Sequence, residues 1–216
     1  MNVMIIQYIK AVISLMLSLF SIRLFLKDPK EERKLCMVAM ILSSCGDIFM
    51  TDVLKLGSLS TYPGAAFFIF AHTVYAVCFF RAGKRNNLRI VNRGFALGMC
   101  FTLLAVVLLT VLMFIRTGQM QPMYFPLLGY IAFIGLNLVS QFAYGFGRGG
   151  RFCFLPLAMT LFMISDILVF LPMLDIVGEN VMYNILIWLL YIPAQLLIML
   201  FNSAEKPGIE SLYKEG

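Results

Sequence analysis

The sequence is short of charged residues and has a single histidine. Only 13% of its 216 residues are Asp, Glu, Lys or Arg and 61% are hydrophobic, whereas soluble domains are about 25% charged and about 45–50% apolar. This composition excludes an ordinary soluble domain and indicates a membrane protein. With His72 as the one histidine, a zinc site built from several His or Cys ligands is not expected. We predict neither a metal nor another cofactor.

Two further patterns are missing. The five cysteines form no CxxC pair, so we interpret them as small buried hydrophobic residues rather than as ligands or disulfides. They are Cys36, Cys45, Cys78, Cys100 and Cys153. The apolar runs are continuous and do not alternate with polar residues, which excludes the pattern of a membrane barrel and favours helices. The fold class predicted is therefore an all-α, polytopic transmembrane helical bundle.

Seven apolar runs have about the ~20 residues that a helix needs to cross the hydrocarbon core. They cover residues 4–26, 34–54, 62–82, 95–115, 122–146, 152–174 and 180–203. The connections are too short to form a soluble domain. We predict one transmembrane domain over residues 1–203 and a short, polar cytoplasmic tail over 204–216.

Lys and Arg residues indicate the orientation of these spans. Most of them flank the connections after the first, third and fifth spans and the C-terminal tail, whereas the opposite side has only Lys55 and Arg116. The positive-inside rule then places the N-terminus outside and the C-terminus in the cytoplasm, in what we expect to be a bacterial inner membrane. The net charge of +6 is thus interpreted as a topology signal, and no nucleic-acid partner is expected.

Four ionisable residues interrupt the spans: Lys10, Asp47, His72 and Asp166. A charged side chain at bilayer depth costs at least ~2.5–3.5 kcal/mol, so such residues usually face the bundle interior and serve a function. With the predicted orientation and a rise of ~1.5 Å per residue, all four lie between the midplane and the outer half of the membrane. We expect them to meet in one layer.

Other polar and aromatic residues repeat at helical spacing near these four, so each span is expected to turn one such face inward. The faces comprise Ser43, Asp47 and Thr51; Phe68, His72, Tyr75 and Phe79; Asn137, Ser140, Gln141 and Tyr144; and Tyr191 and Gln195. Together they predict a polar pocket inside the bundle. By contrast, Gly94 and Gly98 form a GxxxG pattern that favours close helix packing.

A weak internal repeat is also indicated. Asp47 precedes His72 by 25 residues, and Asp166 precedes Tyr191 by 25 residues. If the fourth span is a linker, spans 1–3 and 5–7 have the same orientation. This pattern predicts a parallel three-plus-one-plus-three arrangement.

The buried charges allow several interpretations. The aspartates could be structural hydrogen-bonding partners that hold helices together, with Lys10 as a counter-charge. They could also form the proton relay of a small proton-coupled transporter or channel, since buried Asp, His and Lys residues serve that purpose and repeats are common in such carriers. The third interpretation is catalysis, and the fourth is a binding or sensing protein that has lost activity.

Several motifs resemble those of the YhhN-like lysoplasmalogenase family of integral membrane hydrolases, over about residues 8–200. They are Gly46-Asp47, the segment from Gly64 to Tyr75 with Phe68 and His72, Ser165-Asp166, and Tyr191 to Gln195. Lys10 is similar to an early lysine of that family, although Ala11 replaces the proline that usually follows it. Family members are described with about eight helices. An eighth span is therefore the alternative to seven, and this chain is expected to lack a helix before Lys10.

The resemblance implies a membrane-embedded hydrolase that cleaves the vinyl-ether bond of lysoplasmalogens and releases a fatty aldehyde and a glycerophospho-ethanolamine or -choline. Its partners would be a lysophospholipid or ether-lipid substrate and membrane lipid. Such a reaction needs acid catalysis and a base for water, which two carboxyl groups can supply. We expect Asp47, Asp166 and His72 to be catalytic. The residues expected to bind substrate or support them are Lys10, Ser43, Tyr75, Asn137, Tyr191 and Gln195.

Overall fold

The structure, a computed structural model, describes residues 3–204 except 52, 119–123, 175 and 179. This part of the chain contains seven α-helices, three short 3₁₀ segments and no strand. The helices are α1 Val3–Lys27, α2 Glu31–Met50, α3 Thr61–Arg85, α4 Arg93–Thr117, α5 Tyr124–Arg148, α6 Phe154–Phe170 and α7 Val181–Ala204. Apart from Ala204, the predicted tail lies outside the described residues.

The seven helices correspond one for one to the seven predicted spans, and the all-α bundle is confirmed. Six of them are long and apolar enough to cross a membrane. The remaining helix, α2, has 20 residues and is about 30 Å long at ~1.5 Å per residue, but it begins with charged residues and contains Asp47. It packs against α1 and α3, so protein rather than lipid surrounds its polar face.

Two predicted spans were too long at their C-terminal ends. Helix α2 ends at Met50, not at residue 54, and Lys55 and Gly57 beyond it have positive φ angles of 56° and 60°. Helix α6 ends at Phe170 because Pro172 has no N–H to donate to the carbonyl four residues earlier. That carbonyl, of Leu168, instead accepts a hydrogen bond of 2.5 Å from the hydroxyl of Tyr183.

The prediction that the cysteines are buried holds only in part. Cys36 and Cys78 are buried, with 3.5 Å between their sulfur atoms. Cys100 and Cys153 are exposed, so that prediction was wrong for these two. Cys100 lies on α4, which packs on α5 and leaves its other faces uncovered, and Cys153 ends a 3₁₀ segment before α6.

Helix neighbours follow the order that the predicted repeat requires. Helix α1 packs on α2, and α2 packs on α3; likewise α5 packs on α6, and α6 packs on α7. The two groups meet where α1 packs on α7 and where α5 packs on α3. If α1–α3 and α5–α7 are exchanged in order, the first of these contacts becomes the second. Helix α4 lies beside α5. The arrangement is compatible with a three-plus-one-plus-three repeat, and superposition of α1–α3 on α5–α7 would test it.

Glycines bring α4 and α5 into close contact. A Cβ added at Gly94 would lie 2.2 Å from the carbonyl oxygen of Phe142, and one added at Gly98 would lie 2.8 Å from the Cα of Val139. Both neighbouring atoms belong to the backbone of α5, which cannot move aside alone. The prediction that this GxxxG pattern packs helices is confirmed.

We therefore expect Gly94→Ala to destabilise the protein by about 1–3 kcal/mol, because the added methyl group separates two packed helices. Gly129→Ala is the matched control, since its Cβ would meet no atom within 4 Å and alanine favours the helix. Thermal unfolding in detergent should show a lower midpoint for the first variant only. Equal midpoints for the two variants would contradict this packing.

Candidate active site

A cavity of about 150 Å³ opens between α1, α2, α3, α5, α6 and α7 and is lined by Lys10, Asp47 and Asp166. Both aspartates are 5% exposed. The cavity lies near the N-terminal ends of α1, α5 and α7 and the C-terminal ends of α2 and α6, so one end of the bundle contains all these groups. Since a water molecule takes about 30 Å³, the cavity admits a few waters or the polar part of a lipid.

Asp47 receives two hydrogen bonds on one carboxylate oxygen, Oδ2. One comes from the hydroxyl of Ser14 on α1, and the other comes from the hydroxyl of Tyr191 on α7 at 2.7 Å. Behind Tyr191, the Nε2 amide of Gln195 donates to the Tyr191 oxygen at 3.1 Å, and the Tyr75 hydroxyl donates to Gln195 Oε1 at 3.2 Å. This ordered chain fixes the direction in which Tyr191 donates.

Asp166 on α6 is held in a similar way, by one residue from each of α3 and α5. Its Oδ2 lies 3.3 Å from His72 Nε2 on α3 and 2.9 Å from the hydroxyl of Tyr130 on α5. The Nδ2 amide of Asn137 lies 3.1 Å from His72 Nδ1, and Gln141 Nε2 donates to Asn137 Oδ1 at 3.1 Å. Because an amide nitrogen only donates, Nδ1 of His72 accepts and its Nε2–H faces Asp166.

The two carboxylates thus share one geometry. In each, two donors converge on Oδ2, and Oδ1 receives no hydrogen bond from the residues that the structure describes. Asp47 on α2 is bound from α7, and Asp166 on α6 is bound from α3. His72 and Tyr191, which each follow an aspartate by 25 residues, therefore occupy corresponding positions.

Lys10 lies at the edge of the cavity. It is 7% exposed, and its Nζ donates to Asn184 Oδ1 at 2.7 Å. The same ammonium group lies 5.4 Å from the centre of the Trp188 ring, within the range of a cation–π interaction. The expected meeting of the four ionisable residues is thus observed: three line one cavity, and His72 contacts Asp166.

Ser43 is buried but lies outside both hydrogen-bond chains, because its Oγ has no partner among the described residues. Its neighbour Ser44 is the residue that supports the site. Ser44 Oγ lies 2.9 Å from Ser14 Oγ and 2.6 Å from Ser18 Oγ, and it donates to the Ser14 carbonyl at 2.8 Å. This hydroxyl cluster positions the Ser14 side chain that donates to Asp47.

Four residues that contact Asp47, Asp166 or Lys10 were not singled out by the sequence analysis, although helical spacing connects each of them with one that was. They are Ser14, Tyr130, Asn184 and Trp188. Ser14 follows Lys10 by four residues, and Tyr130 precedes Asn137 by seven. Asn184 and Trp188 precede Tyr191 by seven and three residues, so they share its helix face.

Comparison with known proteins identifies the family. The model of the YhhN family matches residues 6–202. Searches of curated proteins and of solved structures each gave no match. Since the matched segment includes both aspartates, their hydrogen-bond chains and nearly the whole chain, the protein is a member of the YhhN family.

Proposed function

We propose that this protein is a membrane-embedded hydrolase that cleaves the vinyl-ether bond of a lysoplasmalogen. The observation that carries the proposal is the pair of buried carboxylates that line one cavity, each anchored through one oxygen. The YhhN family includes lysoplasmalogenases, which agrees with this chemistry.

The reaction begins with proton transfer to carbon. One aspartate, in its acid form, protonates the alkenyl carbon remote from the ether oxygen, and the electron pair of the double bond forms the new C–H bond. The positive charge that develops on the adjacent carbon and ether oxygen is stabilised by the other, ionised carboxylate, because a buried charge acts through a low dielectric. Asp47 and Asp166 are the two groups, and either can take either role.

Water then completes the reaction. The ionised aspartate accepts a proton from a water molecule while the oxygen of that water adds to the charged carbon. The product of this step is a hemiacetal. The hemiacetal gives its hydroxyl proton to the first aspartate, and the second protonates the departing glyceryl oxygen as the C–O bond breaks. The products are an aldehyde and a glycerophospho-alcohol, and both aspartates regain their starting protonation states.

The hydrogen-bond chains support this cycle by holding each carboxylate in place. Tyr191 and Ser14 orient Asp47, and His72 and Tyr130 orient Asp166. In each case these donors bind Oδ2, so Oδ1 can interact with substrate or water. A carboxylate that is held through one oxygen needs no reorientation during proton transfer, which lowers the entropic part of the barrier.

Localisation and orientation belong to the same proposal. With an outside N-terminus and a cytoplasmic C-terminus in a bacterial cell membrane, the cavity lies in the outer half of the bilayer. A lysolipid of the outer leaflet would then reach the aspartates without crossing the membrane.

A proton-coupled transporter or channel is the second candidate. The observation in its favour is the chain from Asp166 through His72 and Asn137 to Gln141, which extends along α5 away from the cavity. A proton path through the membrane would use such a chain. Proteoliposomes with an enclosed pH indicator would then acidify upon an imposed potential, whereas a hydrolase would leave the internal pH unchanged.

The hydrolase proposal is tested with three lysolipids that have the same chain and head group but a vinyl-ether, alkyl-ether or ester bond at the first glycerol carbon. Purified wild-type protein is expected to release aldehyde from the vinyl ether and to leave the other two intact, because only the enol ether can be protonated on carbon. The double variant Asp47→Asn/Asp166→Asn controls for a co-purifying enzyme. Fatty acid from the ester without aldehyde from the vinyl ether would refute the proposal.

A further inference from the structure

An apolar groove runs between α1 and α7 on the outer surface of the bundle, beside the cavity. Its volume is about 200 Å³. Five aliphatic side chains line it: Ile9, Ile13, Ile185, Leu189 and Ile192. Ile9 and Leu189 are 48% and 65% exposed, and both helices are apolar enough to span a membrane. The groove therefore faces the hydrocarbon region of the bilayer.

Lys10 and Trp188 separate this groove from the aspartates. Both residues line the groove, and both also line the cavity. The Lys10 ammonium lies over the Trp188 ring at 5.4 Å from its centre. Lys10 and Trp188 are therefore the two side chains that the lipid-facing groove and the polar cavity have in common.

We infer that the α1–α7 groove holds the hydrocarbon chain of the lipid substrate, that the lipid enters sideways from the bilayer past Trp188, and that Lys10 binds its phosphate. This inference rests on the proposed function, because it concerns the substrate of the same site. The cavity, at about 150 Å³ and with two carboxylates in its wall, is too small and too polar for a long chain. The adjoining groove offers the chain aliphatic contacts throughout.

The position of Lys10 fits a phosphate at the junction of groove and cavity. Among the described residues that line the cavity, Lys10 is the one cationic side chain, and Asn184 holds its Nζ at the cavity edge. An ammonium group is a common ligand of phosphate. A lysolipid with its phosphate on Lys10 and its chain in the groove would pass its ether-linked carbons over Trp188, towards Asp47 and Asp166.

The groove is tested by filling it. Ile13→Trp and Ile185→Trp should raise KM for a long-chain lysoplasmalogen about tenfold or more, a typical effect of altered fit in an apolar pocket. Turnover of a short-chain vinyl-ether analogue should stay unchanged, because its chain does not reach the groove. Leu103→Trp is the matched control, since Leu103 is 57% exposed on α4. Equal KM values for groove and control variants would overturn the proposal.

The phosphate contact has its own test. Lys10→Met keeps an apolar stem and removes the charge. It should raise KM for a lysoplasmalogen several-fold and leave KM for an alkenylglycerol without phosphate unchanged, and Lys10→Arg should restore much of the difference. An equal increase for both substrates would overturn the role of Lys10.

A binding experiment separates failure of this inference from failure of the proposed function. Wild-type protein in vesicles of phosphatidylcholine is exposed to a lysophosphatidylcholine that carries a diazirine in its chain, and labelled peptides are mapped. Labelling of α1 and α7 that Ile185→Trp reduces and Leu103→Trp does not would support the groove even if wild-type protein released no aldehyde. Labelling that Ile185→Trp leaves unchanged would overturn the groove, whatever the turnover.

Discussion

Asp47→Asn and Asp166→Asn are each expected to reduce aldehyde release from a lysoplasmalogen by at least about 10²-fold, the lower end of what general acid–base catalysis contributes. Asparagine has nearly the shape of aspartate but neither gives up nor accepts a proton in the reaction. Since one carboxyl group must protonate carbon while the other stabilises the cation, the reaction needs both, and a single remaining aspartate cannot fill both roles at once. The double variant should be little slower than the single variants, as is usual for residues that act as a unit.

The control for these variants is Glu31→Gln, which removes a carboxylate at the far end of α2. Glu31 is exposed and pairs with Arg81 at 2.5 Å, a surface interaction with little effect on stability. Turnover by the Glu31→Gln variant should equal that of the wild-type protein. All variants should elute as wild type does in size-exclusion chromatography and unfold at similar temperatures. Near-wild-type turnover in both folded aspartate variants would contradict the catalytic assignment.

His72→Phe is expected to have the second largest effect, a reduction in turnover of about 10²-fold. His72 gives Asp166 one of its two hydrogen bonds and connects it to Asn137. Phenylalanine fills a similar space and can keep the edge-to-face contact with the Phe162 ring, now 4.8 Å between centroids, but it donates no hydrogen bond. Of its donors within the described part of the chain, Asp166 would keep Tyr130 alone, and its carboxylate could turn away from the cavity.

The matched control for His72→Phe is Thr73→Val, one residue further along α3. The Thr73 hydroxyl donates to the Ile69 carbonyl within its own helix at 2.8 Å, so its loss should leave turnover unchanged. A positioning role also predicts that kcat falls while KM for the lipid stays nearly constant, because His72 does not line the cavity. If KM rose and kcat did not change, His72 would be a binding residue instead.

Most of the fold could be predicted because lipid imposes strict rules on sequence. Continuous apolar runs of about 20 residues must be helices when no water is present to satisfy the backbone, and all seven helices were found in this way. Helix ends were less certain, as in α2 and α6, because they depend on local turn geometry. Helix α2 shows why apolar composition alone does not identify every helix of the bundle. It is less apolar than the other helices, because α1 and α3 pack against it and cover its polar face.

The ionisable residues of the candidate site could be predicted from the sequence. Which side chain binds which aspartate could not be predicted. Burial cost singles out any charged residue in a span, and this rule found Asp47, His72 and Asp166. It could not show that His72 binds Asp166 rather than Asp47, because that choice depends on which helices are neighbours. It also missed Ser14 and Tyr130, since hydroxyl groups are common in membrane helices and cost little to bury.

The glycines of the motifs have a packing explanation that only the structure supplies. A Cβ at Gly46 would lie 2.9 Å from the Phe68 ring, and a Cβ at Gly64 would lie 2.8 Å from the Met50 side chain. Both glycines let α2 and α3 approach closely beside Asp47. Phe68 and Met50 line the cavity, so a larger residue at either glycine would change its shape.

The central claim, that a carboxylic acid protonates the vinyl-ether carbon, is tested most directly by turnover in heavy water. The aldehyde is reduced to its alcohol as it forms and then analysed by mass spectrometry. Carbon protonation predicts a single deuterium on the carbon next to the former carbonyl, at a rate that Asp47→Asn and Asp166→Asn both lower. Aldehyde formed without deuterium at that carbon, or formed equally fast by both variants, would contradict the account.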